Sequence, residues 1–252
     1  MISAARTTTR IAYAAAGALL LVVGAQLIGQ FELAGKAWPP LTDVLAYVAT
    51  PSGSSLIQRN LLVTLGAAGQ GFVIGAAVAL LGATAALLVP ILRPGLDRFA
   101  AILNAVPTIA LAPLLITTAG REGTPAVIAA LSVGFVMFVA TTSGFAATSA
   151  PQQDLLTVFG ASRRRRLALL ELPRSVPAFV DGLTLAAPAA ILGATIGEWF
   201  GAPQGIGLLL VSAMQNYQMA LLWAAALAAT LASLVVYLLL VQVQRLAVRR
   251  FS

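Results

Sequence analysis

Residues able to do chemistry are scarce in this chain of 252 residues. It contains no Cys and no His, which removes thiol nucleophiles, imidazole bases and the usual zinc and haem ligands. The 8 Asp and Glu residues offer no pair of carboxylates on one helix face. A Gly-x-x-x-x-Gly-Lys-Ser/Thr phosphate-binding loop is absent from the sequence, so the chain does not hydrolyse ATP by that chemistry. We therefore expect no catalytic residue, no metal site and no cofactor bound by the chain itself.

The remaining candidates are polar or helix-breaking residues inside apolar stretches. Prolines there either shape a helix or open a pathway, and Asn and Thr either line a polar route or bond one helix to another. A carboxylate at membrane depth is costly, so it has a partner, faces water or lies just outside the span. The candidates for a solute pathway are Asn104, Pro107, Thr108, Thr184, Pro188 and Glu198.

The composition shows what kind of protein must position these residues. Hydrophobic residues make up 60% of the chain and charged residues 9%, against about 25% charged in soluble domains. We predict an all-α membrane protein with one transmembrane domain over residues 1–252. Its apolar runs predict six spans of about 20 residues or more, at 11–31, 61–89, 100–119, 125–147, 179–197 and 219–243. The first is longer than the apolar core of a signal peptide, so we expect a retained anchor.

The distribution of cations predicts the orientation. With both termini cytoplasmic, the external segments hold Lys36, Arg59 and Arg121, which are 3 of the 15 Lys and Arg residues. Positive charge in short loops resists translocation. The net charge of +7 is then a topology signal rather than a sign of nucleic-acid binding. The other cations are all cytoplasmic in this arrangement: Arg6, Arg10, Arg93, Arg98, Arg163, Arg164, Arg165, Arg166, Arg174, Arg245, Arg249 and Arg250.

Several connections have predictable local structure. Leu41–Ala49 is predicted to be a short interfacial helix between breakers at Trp38–Pro40 and at 51–55. Tight turns are expected at 90–99 on the cytoplasmic side and at 120–125 outside. Leu172-Pro173, with Pro177, is expected to lead the chain back into the membrane.

The cytoplasmic loop 149–178 is long for a connection and has the marks of an ordered helix pair. Ser149 to Gln152 resembles a capping box, Asp154 suits the first turn of a helix, and Gly160 suits a left-handed helix end. The apolar side chains of Leu155, Leu156 and Phe159 share one face. These features are compatible with two interpretations. The segment is either a helix pair lying on anionic lipid headgroups or a docking element for a soluble partner.

The spacing in this loop resembles the signature of the permease subunits of ABC importers, Glu-Ala-Ala-x3-Gly-x9-Ile-x-Leu-Pro. Here Asp154-Leu155-Leu156 precedes Gly160 by three residues, and Leu170-Glu171-Leu172-Pro173 follows it after nine. The resemblance extends to the external Trp38–Val44 segment, to Ala105–Leu114 and to Gly197–Gly207. It indicates the type I subgroup that handles sulfonates, taurine, nitrate and pyrimidine-like compounds.

The resemblance implies a fold, a class of solute and partners. The fold is the type I importer permease fold in the bacterial cell membrane, and the solute is a small organic anion or heterocycle. The partners are ABC ATPase subunits carrying ATP and Mg²⁺, a second permease subunit that is identical or related, an extracytoplasmic solute-binding protein and membrane lipid. The resemblance implies that the ATPase-docking loop consists of Asp154, Leu155, Leu156, Phe159, Gly160, Ala161, Leu170, Leu172 and Pro173.

An ion-coupled secondary transporter is the alternative function. It would need ionisable groups near the bilayer midplane or a repeated pair of broken helices. Asp181 and Glu198 both fall near the ends of predicted spans, so the sequence favours the importer permease.

Overall fold

The computed structural model describes the backbone of residues 2–148 and 150–251, and the side chains of 13–148 and 151–249. Every regular element in these ranges is helical. The helices are α1 (Ile2–Gln30), α2 (Leu41–Ala49), α3 (Pro51–Leu88), α4 (Arg93–Ala105), α5 (Thr108–Phe145), α6 (Ala150–Val158), α7 (Arg163–Arg166), α8 (Leu172–Glu198), α9 (Ile206–Gln215) and α10 (Met219–Phe251). A 3₁₀ turn, Pro90–Leu92, precedes α4, and a π-helical turn, Leu167–Glu171, joins α7 to α8.

Five helical stretches in the described ranges are long and apolar enough to cross a bilayer. They are Tyr13–Gln30, Pro51–Leu88, Thr108–Phe145, Arg163–Glu198 and Met219–Arg249. The stretch Thr108–Phe145 is two helices in effect, because Gly120 has φ 74° and ψ 173° and interrupts the helical backbone. This interruption lies where the sequence predicts the external turn between the third and fourth spans. The count of six spans and the cytoplasmic termini stay predictions.

The second and third spans differ from their predicted bounds because of prolines. Helix α3 begins at Pro51 rather than near 61, since proline is well suited to the first turn and the Thr50 hydroxyl accepts a hydrogen bond from the Gly53 N–H at 3.0 Å. The predicted helix 100–119 is broken before Pro107, where Val106 is extended with ψ 123°, as expected for a residue preceding proline. The predicted turn 90–99 is helical from Arg93 onward.

The helix that contains the predicted fifth span also begins earlier than that span. The helical path runs without interruption from Arg163 to Glu198, so Leu172-Pro173 and Pro177 do not end a helix. Pro173 has no N–H to donate to the preceding turn and would crowd its carbonyl in a regular α-helix. The π-helical turn Leu167–Glu171 immediately precedes it, and such turns accommodate a local mismatch in a helix. The second half of the predicted loop 149–178 is therefore helical from Arg163 onward.

The described chain clusters into two compact units. The first contains Met1–Arg59 and Leu209–Ala228, and the second contains Asn60–Leu208 and Ala229–Ser252. The prediction of a single transmembrane domain stays a prediction.

In the first unit, two tryptophans join segments that are far apart in sequence. The rings of Trp38 and Trp223 lie with centroids 4.4 Å apart. Trp38 donates its indole N–H to the Ala25 carbonyl at 3.1 Å, and Trp223 donates to the Ala37 carbonyl at 2.9 Å. The predicted interfacial helix has the same bounds as α2, and the Gln26 side chain accepts from the Thr42 N–H at 3.1 Å.

The core of the second unit is made by α3, α5 and α8, with small residues at the contacts. A Cβ on Gly197 would lie 2.6 Å from the Pro125 Cα, and one on Gly193 would lie 2.9 Å from the Ala129 Cα. Such close helix approach is typical of membrane proteins, where small residues let backbones pack tightly. Three helices packed this closely form a fixed frame for the side chains at each end. The buried apolar residues of this core are Ala68, Ala79, Ala83, Ala129, Val133, Met137, Phe138, Ala186, Ala190, Ile191 and Ala194.

Candidate functional site

The segment 150–173, which we call the docking segment, lies at the end of the second unit where α3 finishes. Helix α6 ends in a Schellman motif: the Gly160 N–H donates to the Thr157 carbonyl and the Ala161 N–H donates to the Leu156 carbonyl, each at 2.9 Å. Gly160 has φ +69°, a left-handed conformation that favours glycine. The prediction that Gly160 ends a helix in this way is confirmed. Ser149, predicted to begin a capping box, lies outside the described residues.

Most apolar side chains at the end of α6, and that of Phe159 directly after it, are exposed. Leu155 is 57% exposed and Phe159 is 76% exposed, whereas Leu156 is half-buried and Asp154 is exposed. Val158, which the sequence analysis did not single out, is 84% exposed. Contiguous exposed apolar side chains on a surface helix indicate a contact with lipid or with a partner.

The rest of the docking segment continues toward α8. Ala161 and Leu170 are half-buried. Leu172 and Pro173 line a cavity of about 470 Å³ whose other walls come from α3, α5 and α8. The structure thus divides the predicted docking residues into a group on and directly after α6 and a group around the start of α8, in which Leu172 is exposed and Leu170 and Pro173 are half-buried.

Two arginines fix the docking segment in place. Arg166 donates to the Thr157 hydroxyl at 3.0 Å, which ties α7 back to α6. Arg163 donates to the carbonyls of Leu87 at 3.0 Å and Leu88 at 3.5 Å, at the C-terminus of α3. The sequence analysis treated these arginines as a topology signal and missed both contacts.

A second polar site, the Glu198 cluster, lies at the opposite end of α3 and α8. The Glu198 side chain is fully buried, and its Oε2 accepts from the Gly207 N–H at 2.7 Å and from the Thr64 hydroxyl at 3.0 Å. Thr64 accepts from the Ile206 N–H, and the Asn60 Oδ1 accepts from the Gly205 N–H, each at 2.8 Å. These bonds hold the turn 205–207, at the start of α9, against α3.

Glycine is required at the centre of the cluster. Gly205 has φ +134°, and a Cβ there would collide with the Glu198 carboxyl group. A Cβ on Gly207 would collide with the Thr195 carbonyl. The Gly-Ile-Gly sequence therefore permits the carboxyl group to approach the backbone N–H groups of this turn.

An open cavity of about 450 Å³ adjoins the Glu198 cluster. Its polar wall is formed by Arg121, Glu122, Glu198 and Gln204. Val63 and Ala67 of α3 form part of its apolar wall. The cluster and this cavity, which we call the outer cavity, share α3 as a common side.

The predicted pathway residues do not converge on one site. Asn104, Pro107 and Thr108 lie at the joint between α4 and α5, where Asn104 and Pro107 are exposed. Thr184 is buried and donates to the Val180 carbonyl at 2.9 Å, a bond within its own helix. Pro188 is half-buried inside an unbroken α8. Only Glu198 belongs to a polar cluster, where it binds the protein backbone.

Comparison with known proteins gives the family. The family profile described as "Binding-protein-dependent transport system inner membrane component" matches residues 71–252. The chain belongs to this family. It is therefore a permease subunit of an ABC importer and a multi-pass protein of the bacterial inner membrane. Proteins of this family are not enzymes, and the ATPase is a separate subunit.

Curated relatives agree with this assignment. A probable ABC transporter permease protein of Haemophilus influenzae is 34% identical over 66% of this chain and 67% of its own length. A formylaminopyrimidine transport permease protein of Halalkalibacterium halodurans is 34% identical over 40% of this chain, but the match spans only 41% of that protein. A riboflavin transport system permease protein of Chloroflexus aurantiacus is 28% identical over 86% of this chain and 77% of its own length.

A solved structure supports the fold. A chain from inward-facing structures of the MetNI methionine ABC transporter superposes with a TM-score of 0.62 over 79% of this permease and 99% of that chain. Sequence identity is 15%, so this similarity is evidence for the fold alone. The predicted type I importer permease fold is confirmed.

Proposed function

We propose that this permease forms part of the solute pathway of an ATP-driven importer and couples to a separate ATPase through the docking segment. The observation that carries the proposal is the exposure of Leu155 and Val158 on α6 and of Phe159 directly after it, at a helix end fixed by the Schellman motif and by Arg166. An apolar helix presented in one orientation suits a groove on a protein partner. A second permease subunit completes the pathway, and an extracytoplasmic binding protein delivers the solute.

The docking residues divide into two roles in this proposal. The side chains of Leu155 and Phe159 enter the ATPase, and Asp154 and Leu156 support the helix that carries them. Gly160 and Ala161 form the turn, Leu170 lies in the π-helical turn, and Leu172 and Pro173 begin α8. ATP and Mg²⁺ bind the ATPase subunit, and their binding and release move the docking segment.

The proposed solute is a small organic anion or a heterocycle. Support comes from the relatives described as carrying formylaminopyrimidine and riboflavin, both of which are nitrogen heterocycles. Among the predicted pathway residues, Asn104, Pro107 and Thr108 are candidates to contact the solute, since Asn104 and Pro107 are exposed and Thr108 is half-buried next to Pro107. Thr184 and Pro188 shape α8, and Glu198 holds the edge of the outer cavity.

The docking proposal is tested by truncating Phe159. We expect Phe159→Ala to weaken binding of the ATPase subunit by roughly tenfold or more, since burial of a Phe or Leu side chain contributes about 1.5–3 kcal/mol. The measurement is the amount of ATPase subunit, identified by its phosphate-binding loop and by ATP hydrolysis, that co-purifies with the tagged permease across a dilution series.

The matched control is Leu234→Ala, because Leu234 is an exposed apolar residue of α10, 48% exposed, outside the docking segment. This variant should retain the ATPase like the unaltered permease. Full retention of the ATPase by Phe159→Ala would exclude α6 as the docking helix.

A further inference from the structure

The contact between Arg163 and α3 joins the docking segment to a second membrane helix. The last four carbonyls of a helix have no partner within it, and an arginine that binds them is further favoured by the helix dipole. Arg163 binds two such carbonyls, of Leu87 and Leu88. The neighbouring Arg164 is exposed, and its side chain makes no hydrogen bond or ion pair within the part of the chain that the structure describes.

Hydrogen bonds join the parts of the docking segment to one another. The Schellman bonds at Gly160 and Ala161 fix the turn after α6, and the bond from Arg166 to Thr157 ties α7 to α6. Its covalent continuation is α8, through the π-helical turn. Arg163 adds a connection to α3 that the covalent chain does not provide.

Helix α3 carries this connection to the Glu198 cluster. From Leu87 to Thr64 it extends roughly 35 Å at the α-helical rise, which is about the thickness of a bilayer core. Thr64 and Asn60 bind the turn 205–207, and Val63 and Ala67 line the outer cavity beside Gln204. Displacement of α3 along or about its axis therefore changes the position of the cavity wall.

We propose that Arg163 is the positioning residue that transmits movement of the docking segment through α3 to the outer cavity. The proposal rests on ATPase docking at this segment. ATP binding displaces the segment, the Arg163 guanidinium moves the C-terminus of α3, and the turn 205–207 follows because Thr64 and Asn60 hold it. Transmission through α8 alone would not require Arg163.

The test follows movement at the outer cavity directly. The chain contains no Cys, so a Gln204→Cys variant gives one labelling site on the exposed wall of the cavity. The purified complex with its ATPase is exposed to a membrane-impermeant maleimide, without nucleotide and after trapping with ATP and vanadate. The ratio of the two labelling rates measures transmission without any need for the solute.

We expect nucleotide to change the labelling rate by about fivefold or more, within the range of an allosteric coupling. In the Arg163→Gln background this ratio should fall to about 1, with the same amount of bound ATPase. Arg164→Gln, the matched control, should leave the ratio unchanged. An unchanged ratio in Arg163→Gln, an equal loss in Arg164→Gln, or loss of bound ATPase in Arg163→Gln would overturn the proposal.

The two proposals fail in different ways. Absence of an ATPase from the complex of the otherwise unaltered permease contradicts the docking proposal, whereas a bound ATPase with a labelling ratio near 1 contradicts only the role of Arg163. If Arg163→Gln does not yield a folded chain, the labelling ratio is measured in Arg163→Lys instead. A lysine retains the cation and a donor, so its ratio should lie between 1 and the original value, and an unchanged ratio would count against the proposal.

Discussion

At the scale of single residues, the Glu198 side chain organises contacts that the sequence separates widely. The sequence identifies it as an unusual carboxylate near a span end. It does not reveal Thr64 as its partner, because the two residues are 134 positions apart and no local pattern relates them. Two features of the sequence could have indicated the Glu198 cluster. Asn60 and Thr64 lie four residues apart on one face of α3, and Gly-Ile-Gly follows Glu198 closely.

Replacement of Glu198 separates its hydrogen-bonding role from its charge. Glu198→Gln keeps an acceptor oxygen for Gly207 and Thr64, so we expect nearly unchanged stability. Glu198→Leu leaves the buried Gly207 N–H without an acceptor, whereas the Thr64 hydroxyl still has the Asn60 carbonyl at 3.2 Å. The free energy of unfolding should therefore fall by roughly 1–3 kcal/mol. The measurement is the Tm of the purified permease in detergent. Equal Tm values for the two variants would show that these hydrogen bonds do not hold the turn.

At the scale of helices, the sequence predicts type and position well where local chemistry decides. The bounds of α2 and the left-handed end of α6 at Gly160 agree with the structure. Prolines cause the main errors, because their effect depends on position within a helix. Pro51 begins α3, Pro107 breaks the predicted third span, and Pro173 is accommodated by a π-helical turn. The sequence alone does not distinguish these three outcomes.

The turn at Gly160 gives a prediction at this scale. Gly160→Pro removes the bond to the Thr157 carbonyl and cannot adopt φ +69°, since proline fixes φ near −65°. We expect a permease that inserts normally but has lost ATP-dependent labelling at Gln204→Cys. Gly160→Asn is the control, because Asn tolerates the left-handed region better than other residues with a side chain. If Gly160→Pro kept the full response to nucleotide, the turn would have no part in coupling.

At the scale of the whole molecule, composition and charge distribution settle the class before any motif is considered. With 9% charged residues the chain cannot form a water-facing surface, and the spacing around Gly160 then indicates the family that the comparisons show. The way α3 connects the docking segment to the Glu198 cluster was not predictable, because both connections are contacts between distant parts of the chain. The sequence does not identify the solute either, because the predicted pathway residues do not converge on one site in the structure.

The prediction for the whole molecule concerns the energy source of transport. In proteoliposomes containing the permease, its ATPase and its binding protein, we expect uptake of a radiolabelled probe only when ATP is supplied on the ATPase side. Formylaminopyrimidine, riboflavin and an aliphatic sulfonate are the probes, each tested separately. Uptake should persist after a protonophore and a sodium ionophore collapse the ion gradients, because ATP binding and hydrolysis drive the change between states. Replacement of the phosphate-loop lysine on the ATPase should abolish uptake. Accumulation of a probe by the permease alone under a proton or sodium gradient would instead identify an ion-coupled transporter.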